Sequence, residues 1–253
     1  MQLFEQAIDP LNQPLAERLR PKEANAVIGQ QHLLEPGGLL ARLFEAGELP
    51  SMILWGPPGV GKTSLARLLA DNARAAFEAL SAVHAGITDL KALLTRATER
   101  LAYHNQATVL FVDEIHRFNK TQQDFLLPHV ESGRLILVGA TTENPGFAII
   151  PALRSRCISV ALEPLSEADL TQVVERGLAA VDAHADEEAK ALFARWSQGD
   201  ARRCLTLIEW AHKLAGDETI SAALVRTAAN GPAVLQDRGG DHHYDTITAL
   251  IKS

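Results

Sequence analysis

At 253 residues, with 47% apolar and 22% charged side chains, the chain has the composition of a soluble globular protein of one or two domains. No apolar run approaches the length of a bilayer span, and Met1–Gln6 lacks the basic and apolar regions of a signal peptide. The two cysteines, Cys157 and Cys204, have no metal-ligand spacing, which predicts a reduced, cytoplasmic protein with no membrane partner. A net charge of −7, with most of the acidic excess in residues 164–253, provides no bulk basic field; a grip on nucleic acid would need a local patch or a ring of subunits.

In chain order, residues 1–13 are a weakly patterned arm. Pro14–Pro21 and Val27–Leu34 follow, and their Pro brake and Gly29-Gln30 turn fit either a lid over a base or a helix–turn that merely packs. Leu39, Leu40, Leu43 and Phe44 have the spacing of an amphipathic helix.

Ser51–Trp55 is a short apolar run of strand length. Gly56, Pro57, Pro58, Gly59, Val60, Gly61, Lys62 and Thr63 then fit G-x-x-x-x-G-K-[ST], the phosphate-binding loop, and from Ser64 onward apolar residues recur at helical spacing. Glycines let successive backbone N–H groups converge on an anion, and the following helix aims its positive end at the same point. Lys62 can reach the β- and γ-phosphates of ATP, and the Thr63 hydroxyl can ligate Mg²⁺. Four fixed positions coincide by chance in roughly one chain in a hundred of this length, and the strand–loop–helix context makes chance rarer still.

Phe77–Leu80 is a second strand candidate, and Leu90, Leu93, Leu94, Ala97 and Leu101 share one helical face. Val109–Val112 suits a buried parallel strand, and its tip carries Asp113 and Glu114. Asp113 can hold the Mg²⁺ shell and Glu114 can take a proton from attacking water. Asn119 and Gln122 have capping-box spacing. Leu135–Ala140 is a further strand, ending in Thr141, Thr142, Glu143, Asn144 and Pro145; a hydroxyl there either touches the γ-phosphate or belongs to a plain turn. Arg154 and Arg156, before a last strand over Ile158–Ala161, are either surface charge or reach a phosphate on a neighbouring subunit.

After a hinge at Glu163–Leu165 the pattern is helical only. Helices start at Ser166, near Ala189, after Gly199-Asp200 and at Ser221. Arg202 and Arg203 occupy the first turn of the third, the unfavourable end of the helix dipole for a cation, so phosphate contact competes with simple solvation as their reason. Residues 236–253 are polar and then helix-like (Ile247, Leu250, Ile251).

This order of landmarks resembles the AAA+ ATPases of the clamp-loader-like group, and more narrowly the Werner-helicase-interacting protein family. The segments that carry the resemblance are Pro14–Pro21, Ile28–Leu34, the phosphate loop, Asp113–Lys120 and Gly139–Pro145. It implies a five-stranded parallel P-loop NTPase core over residues 14–163, then a small all-α lid over 164–235, with 236–253 opening a further C-terminal region. It implies an ATP- and Mg²⁺-dependent hydrolase acting on DNA in replication-fork maintenance, recombination and repair, associated with the nucleoid. Thr142 is implied as the sensor at the strand tip, with Thr141 or Asn144 as alternatives. Arg156 is implied as the finger reaching a neighbour's ATP, and Arg202, or Arg203, as the lid sensor. Leu15, Arg18, Ile28 and Gly29 are implied around the adenine. Implied partners are DNA, further copies of the chain (a tetramer for the full-length family protein) and replication proteins such as single-strand-binding protein. A nucleotide-switched scaffold and a Holliday-junction motor are the alternatives. The family continues beyond position 253, so the resemblance implies a piece holding core and lid, able to bind nucleotide and slow to hydrolyse it. Val60 stands where the family has Thr, with little effect expected.

Overall fold

The computed structural model describes residues 13–230; the expectations for the arm up to residue 12 and for 236–253 lie outside them. The alternation within the apolar runs decides the central layer. In β3 (Thr108–Asp113), Val109 and Phe111 join a core on one face of the sheet, while Leu110 and Val112 join a second core on the other. In β1 (Met52–Trp55), Met52 and Leu54 face the first core and Ile53 the second. A strand apolar on both sides must be covered on both, which is the condition of a parallel sheet sandwiched by helices. With β2 (Ala76–Ser81), β4 (Ile136–Thr141) and β5 (Ile158–Ala161), these strands form one sheet in the order β2-β3-β4-β1-β5, every pair parallel.

Helices supply the cover. The single-turn helices α1 (Leu15–Arg18) and α2 (Gln31–Leu34) precede α3 (Leu39–Ala46). Leu40 of α3 and Leu65 and Leu69 of α4 (Lys62–Asn72) close the first face. The second is closed by Leu90, Leu93 and Leu94 of α5 (Ile87–His104) and Leu126 of α6 (Lys120–Glu131). The α6 capping box forms as its spacing predicts: Gln122 N–H donates to Asn119 Oδ1 at 2.9 Å, and Asn119 N–H donates to Gln122 Oε1 at 3.0 Å. Short helices α7 (Pro145–Ala148) and α8 (Pro151–Arg154) lead into β5.

The remaining helices are α9 (Glu167–Ala180), α10 (Glu187–Ser197), α11 (Ala201–Ala215) and α12 (Ala222–Ala229). They enclose a separate core around Leu170, Val174, Phe193, Cys204, Ile208 and Val225. Ser166 caps α9 as expected. Ser221 stands at the α12 N-cap position, but its side chain makes no capping hydrogen bond. That entry is tied instead through the preceding residue, where Ile220 donates to the His184 carbonyl and accepts from Asp186 N–H. Leu15 is buried in this helical core, not in the sheet cores, so the Pro14–Leu19 segment packs on the C-terminal helices although it precedes the sheet.

Because all strands run the same way, the C-terminal ends of β3, β4 and β1 lie side by side. Trp55 is paired with Thr141, and Val112 with Gly139. This register sets Gly56, Asp113, Glu114 and Thr142 along one edge of the sheet.

Candidate nucleotide site

The phosphate loop leaves β1 at Gly56 and enters α4 at Lys62. Gly61 occupies the N-cap position at φ +100°, a left-handed conformation that favours glycine and turns the loop into the helix. Val60 is 2% exposed and anchors the loop in the core below. Its side chain packs into that core, and the residue also borders the cleft above. The Lys62 ammonium donates to the Gly56 and Pro57 carbonyls, both at 2.7 Å. Burial pulls the Lys62 ammonium below its ordinary pKa, and the Glu114 and Asp113 carboxylates oppose that pull.

A cleft of about 460 Å³ opens over this loop. Its floor is Pro58–Ser64 with Asp113 and Glu114, which the β3 tip delivers. One wall comes from the N-terminal segment through Pro21, Val27 and Ile28, and the other from the lid through Val173, Arg176, Arg202 and Leu205. The apolar part of the cleft suits a flat base, and the loop end suits anions. The lid closes directly on the loop, since Ala201 N–H donates to the Gly59 carbonyl at 3.2 Å.

Of the residues expected from sequence, the cleft brings together Pro58, Gly59, Val60, Gly61, Lys62, Thr63, Ser64, Asp113, Glu114, Ile28 and Arg202. Several others do not line it. Leu15 turns into the lid core, and the Arg18 guanidinium donates to the Ala180 carbonyl at 2.9 Å, tying α1 to α9. Their neighbours Ala16, Glu17, Leu19 and Arg20 line the cleft instead. Gly29 sits at φ +77° beside Leu165, at the hinge. Gly56 and Pro57 offer their carbonyls to Lys62 from below.

Thr142 is exposed at the β4 tip, outside the cleft lining. Thr141 is fully buried and hydrogen-bonded, and Asn144 caps α7 by accepting Gly146 N–H at 2.8 Å. Arg156 also lies outside its own chain's cleft, half-exposed and paired with Glu131 at 2.5 Å. Arg203 is exposed and reaches Gln198.

Four lid residues at the wall, Val173, Arg176, Leu205 and Thr206, were not among the site residues expected from sequence. Nor was His116, whose ring contacts Glu114, Thr141 and Glu143. The available signal for His116 was a polar residue two positions beyond Glu114, in a turn whose other members are apolar or exposed.

Among the described residues no group of three or more His, Cys, Asp or Glu side chains could hold a metal alone. A Thr63 hydroxyl and an Asp113 carboxylate in one cleft are instead hard oxygen donors of the kind that share an ion with phosphate oxygens. The residues fit Mg²⁺ in that role.

Comparison with known proteins agrees with this geometry. Residues 52–165 match the ATPase family associated with various cellular activities (AAA), and residues 164–253 match the AAA C-terminal domain. The chain belongs to the AAA+ ATPases: a five-stranded parallel P-loop core with a C-terminal helical domain. It is 43% identical to replication-associated recombination protein A of Escherichia coli K12, over 95% of this chain and 56% of that protein. It is 39% identical to ATPase WRNIP1 of Dictyostelium discoideum, over 95% of this chain and 30% of that protein. The chain thus spans little more than half the length of the bacterial relative. Among solved structures, the RuvB Holliday junction branch migration motor of Thermotoga maritima superposes with a TM-score of 0.71 at 29% identity, covering 84% of this chain and 72% of that one. No helix among the described residues is long and apolar enough to cross a membrane.

Proposed function

We propose that this chain hydrolyses Mg²⁺-bound ATP in the cleft between sheet and lid, and uses the cycle to act on DNA at replication forks or recombination intermediates. The observation that carries the catalytic half is the convergence of Gly59–Ser64, Asp113-Glu114 and Arg202 on one cleft from three separate stretches of chain. The base lies between Val27-Ile28 and the lid residues Val173 and Leu205. Backbone N–H groups of the loop hold the phosphates, and Lys62 offsets charge on the β- and γ-phosphates. Thr63 and Asp113 would hold the Mg²⁺, which would supply charge compensation to the phosphates. Glu114 orients the attacking water and accepts its proton. Arg202 reads the nucleotide from the lid and couples its state to lid movement. Arg156, on an edge outside its own cleft, acts on the ATP of a second copy; its half-exposed position supports that reading. Thr142 at the β4 tip is the group that senses the γ-phosphate.

The DNA half rests on the names of the relatives, which speak of replication, recombination and branch migration. With it come a homo-oligomer (a tetramer for the longer protein), single-strand-binding protein as a replication partner, and a cytoplasmic, nucleoid-associated location. ATP turnover measured alone and with single-stranded, duplex, forked and four-way-junction DNA is the test. Stimulation by forked or single-stranded DNA is expected. Near-zero turnover with every DNA would leave a nucleotide-switched scaffold, and stimulation confined to the four-way junction would leave a branch-migration motor, the reading favoured by the RuvB superposition.

A further inference from the structure

His116 lies in a single 3-10 turn, Ile115–Arg117, that follows Glu114. The turn is seated on β4: a Cβ added to Gly139 would lie 2.8 Å from Ile115 Cδ1, so Ile115 fills the space which that glycine leaves. His116 is thereby held with its side chain 5% exposed. Its Nδ1 is 2.8 Å from Thr141 Oγ1 and 3.2 Å from Glu114 Oε2, and its Nε2 is 3.5 Å from Glu143 Oε1.

The hydrogen-bond inventory decides the proton. Thr141 Oγ1 accepts Glu143 N–H at 2.9 Å, and its own proton points to the Glu143 carbonyl at 3.4 Å. The Thr141 hydroxyl can either donate to or accept from Nδ1, but an ionised Glu114 can only accept, so a proton on Nδ1 is the arrangement that satisfies both oxygens. A bare Nδ1 lone pair facing the Glu114 carboxylate would be repulsive, so the same Nδ1–H serves both oxygens. Beyond Thr141 the connection continues: its carbonyl accepts Gly56 N–H at 3.1 Å, the first residue of the phosphate loop. Gly56, Thr141, His116 and Glu114 therefore form an unbroken line of contacts from the start of the Gly56–Thr63 loop to the Glu114 carboxylate.

We infer that His116 is a positioning residue for ATP hydrolysis: its Nδ1–H ties the Glu114 carboxylate to the tip of β4, and so sets that carboxylate relative to the phosphate loop. Glu114 needs such a tie. Its backbone is left-handed at φ +54°, uncommon for a residue with a side chain, and among the described residues its carboxylate has no hydrogen-bond or ion-pair partner other than His116. The inference rests on the assignment of Glu114 as the water-activating group.

Asparagine places a donor near the Nδ1 position and glutamine near the Nε2 position, so the two substitutions separate positioning from mere packing. In ATP turnover assays, His116→Phe and His116→Gln are expected to lose kcat by at least about tenfold with KM and ATP-analogue affinity unchanged, and His116→Asn to stay within about threefold of the unsubstituted chain. Equal behaviour of Asn and Gln, or a loss confined to KM, would overturn the inference. Long-range ¹H–¹⁵N correlation of the His116 ring reads the same point without turnover: a proton on Nδ1 is expected, and a neutral ring protonated on Nε2 would overturn it. Glu114→Gln in the same assay keeps the two readings apart. Normal turnover there defeats the assignment of Glu114; loss there with a flat His116 series defeats only the role of His116.

Discussion

The carboxylate of Asp200 stands where a side chain at Gly59 would be: a Cβ built on Gly59 would lie 1.7 Å from Asp200 Oδ1. The phosphate loop and the first turn of α11 are thus fitted together with no room between them. Asp200 cannot retreat freely, because the same oxygen caps α11 by accepting Arg203 N–H at 2.9 Å. Gly59 also has φ +69°, which disfavours any residue with a Cβ.

Gly59→Ala is therefore expected to do two things. It should cost about 1–2 kcal/mol for the left-handed backbone, and it should also push the lid from the loop, weakening ATP-analogue binding by about tenfold or more. Gly133→Ala is the control. Gly133 has nearly the same φ, +67°, and nothing within 4 Å of an added Cβ. It should lower thermal stability and leave nucleotide affinity unchanged. Calorimetry and a titration with a fluorescent analogue measure both; equal affinities for the two variants would mean that the lid does not rest on the loop when nucleotide binds.

Glu78 of β2 gives a pH prediction. Arg96 Nη2 donates to its Oε2 at 2.9 Å, and Arg100 donates to its Oε1, joining the edge strand to α5. The Arg96 hydrogen bond holds the Glu78 carboxyl below its ordinary pKa; burial opposes the shift and Arg100 adds to it. A carboxylate lowered in the folded state contributes stability that is fully present above its unfolded pKa, about 4.3, and is lost as pH falls through the folded value. Glu78→Gln should cost about 0.5–1 kcal/mol in urea unfolding at neutral pH, and the gap from the unsubstituted chain should narrow progressively as pH falls below about 4.3. A gap independent of pH would show that packing, not charge, holds this edge.

The contrast between what was legible in the sequence and what was not follows from range. The loop, Asp113 and Glu114 were readable because each is a local pattern: glycine spacing, or two carboxylates at the end of a four-residue apolar run. The strand candidates were read from short local runs, and their assembly into one five-stranded parallel sheet was implied by the family resemblance. The contacts of Leu15 and Arg18 with the lid helices were not legible, because α1 is a single turn. Its facing is set by contacts remote in sequence, Leu15 N–H with Glu209 and Arg18 with Ala180. Thr141 and Thr142 are spelled alike, but Thr141 is the last residue of β4 and is buried, while Thr142 lies just past the strand and is exposed. His116 has no periodic signature at all; its role depends on β4 lying beside β3, a pairing that spacing alone does not reveal.

Burial pushes the thiols of both Cys157 and Cys204 up to about 11. At pH 8 only about one thiol in a thousand is then the reactive thiolate, and Cys204 is also sealed in the lid core at 0% exposed. The native chain should show almost no reaction with Ellman's reagent over minutes, and two equivalents in guanidinium chloride. Fast reaction of Cys204 alone would report that the lid opens far more readily than its packing implies.

Arg202 and Arg203 are neighbours in the first turn of α11, where the helix dipole disfavours both. Their surroundings differ. Arg202 lines the cleft within reach of the field of Lys62, while Arg203 turns outward to Gln198 at 3.4 Å. A cation brought close to another cation at the wrong end of a helix gains when an anion enters between them. Arg202→Ala is thus expected to weaken ATP-analogue binding by about tenfold, or about 1.4 kcal/mol, while Arg203→Ala stays within about twofold. Triphosphate should lose more than diphosphate in the first variant if the guanidinium reaches the terminal phosphate. Parallel titrations of both variants with tri- and diphosphate analogues decide it, and a larger loss for Arg203→Ala would transfer the lid-sensing role to that residue.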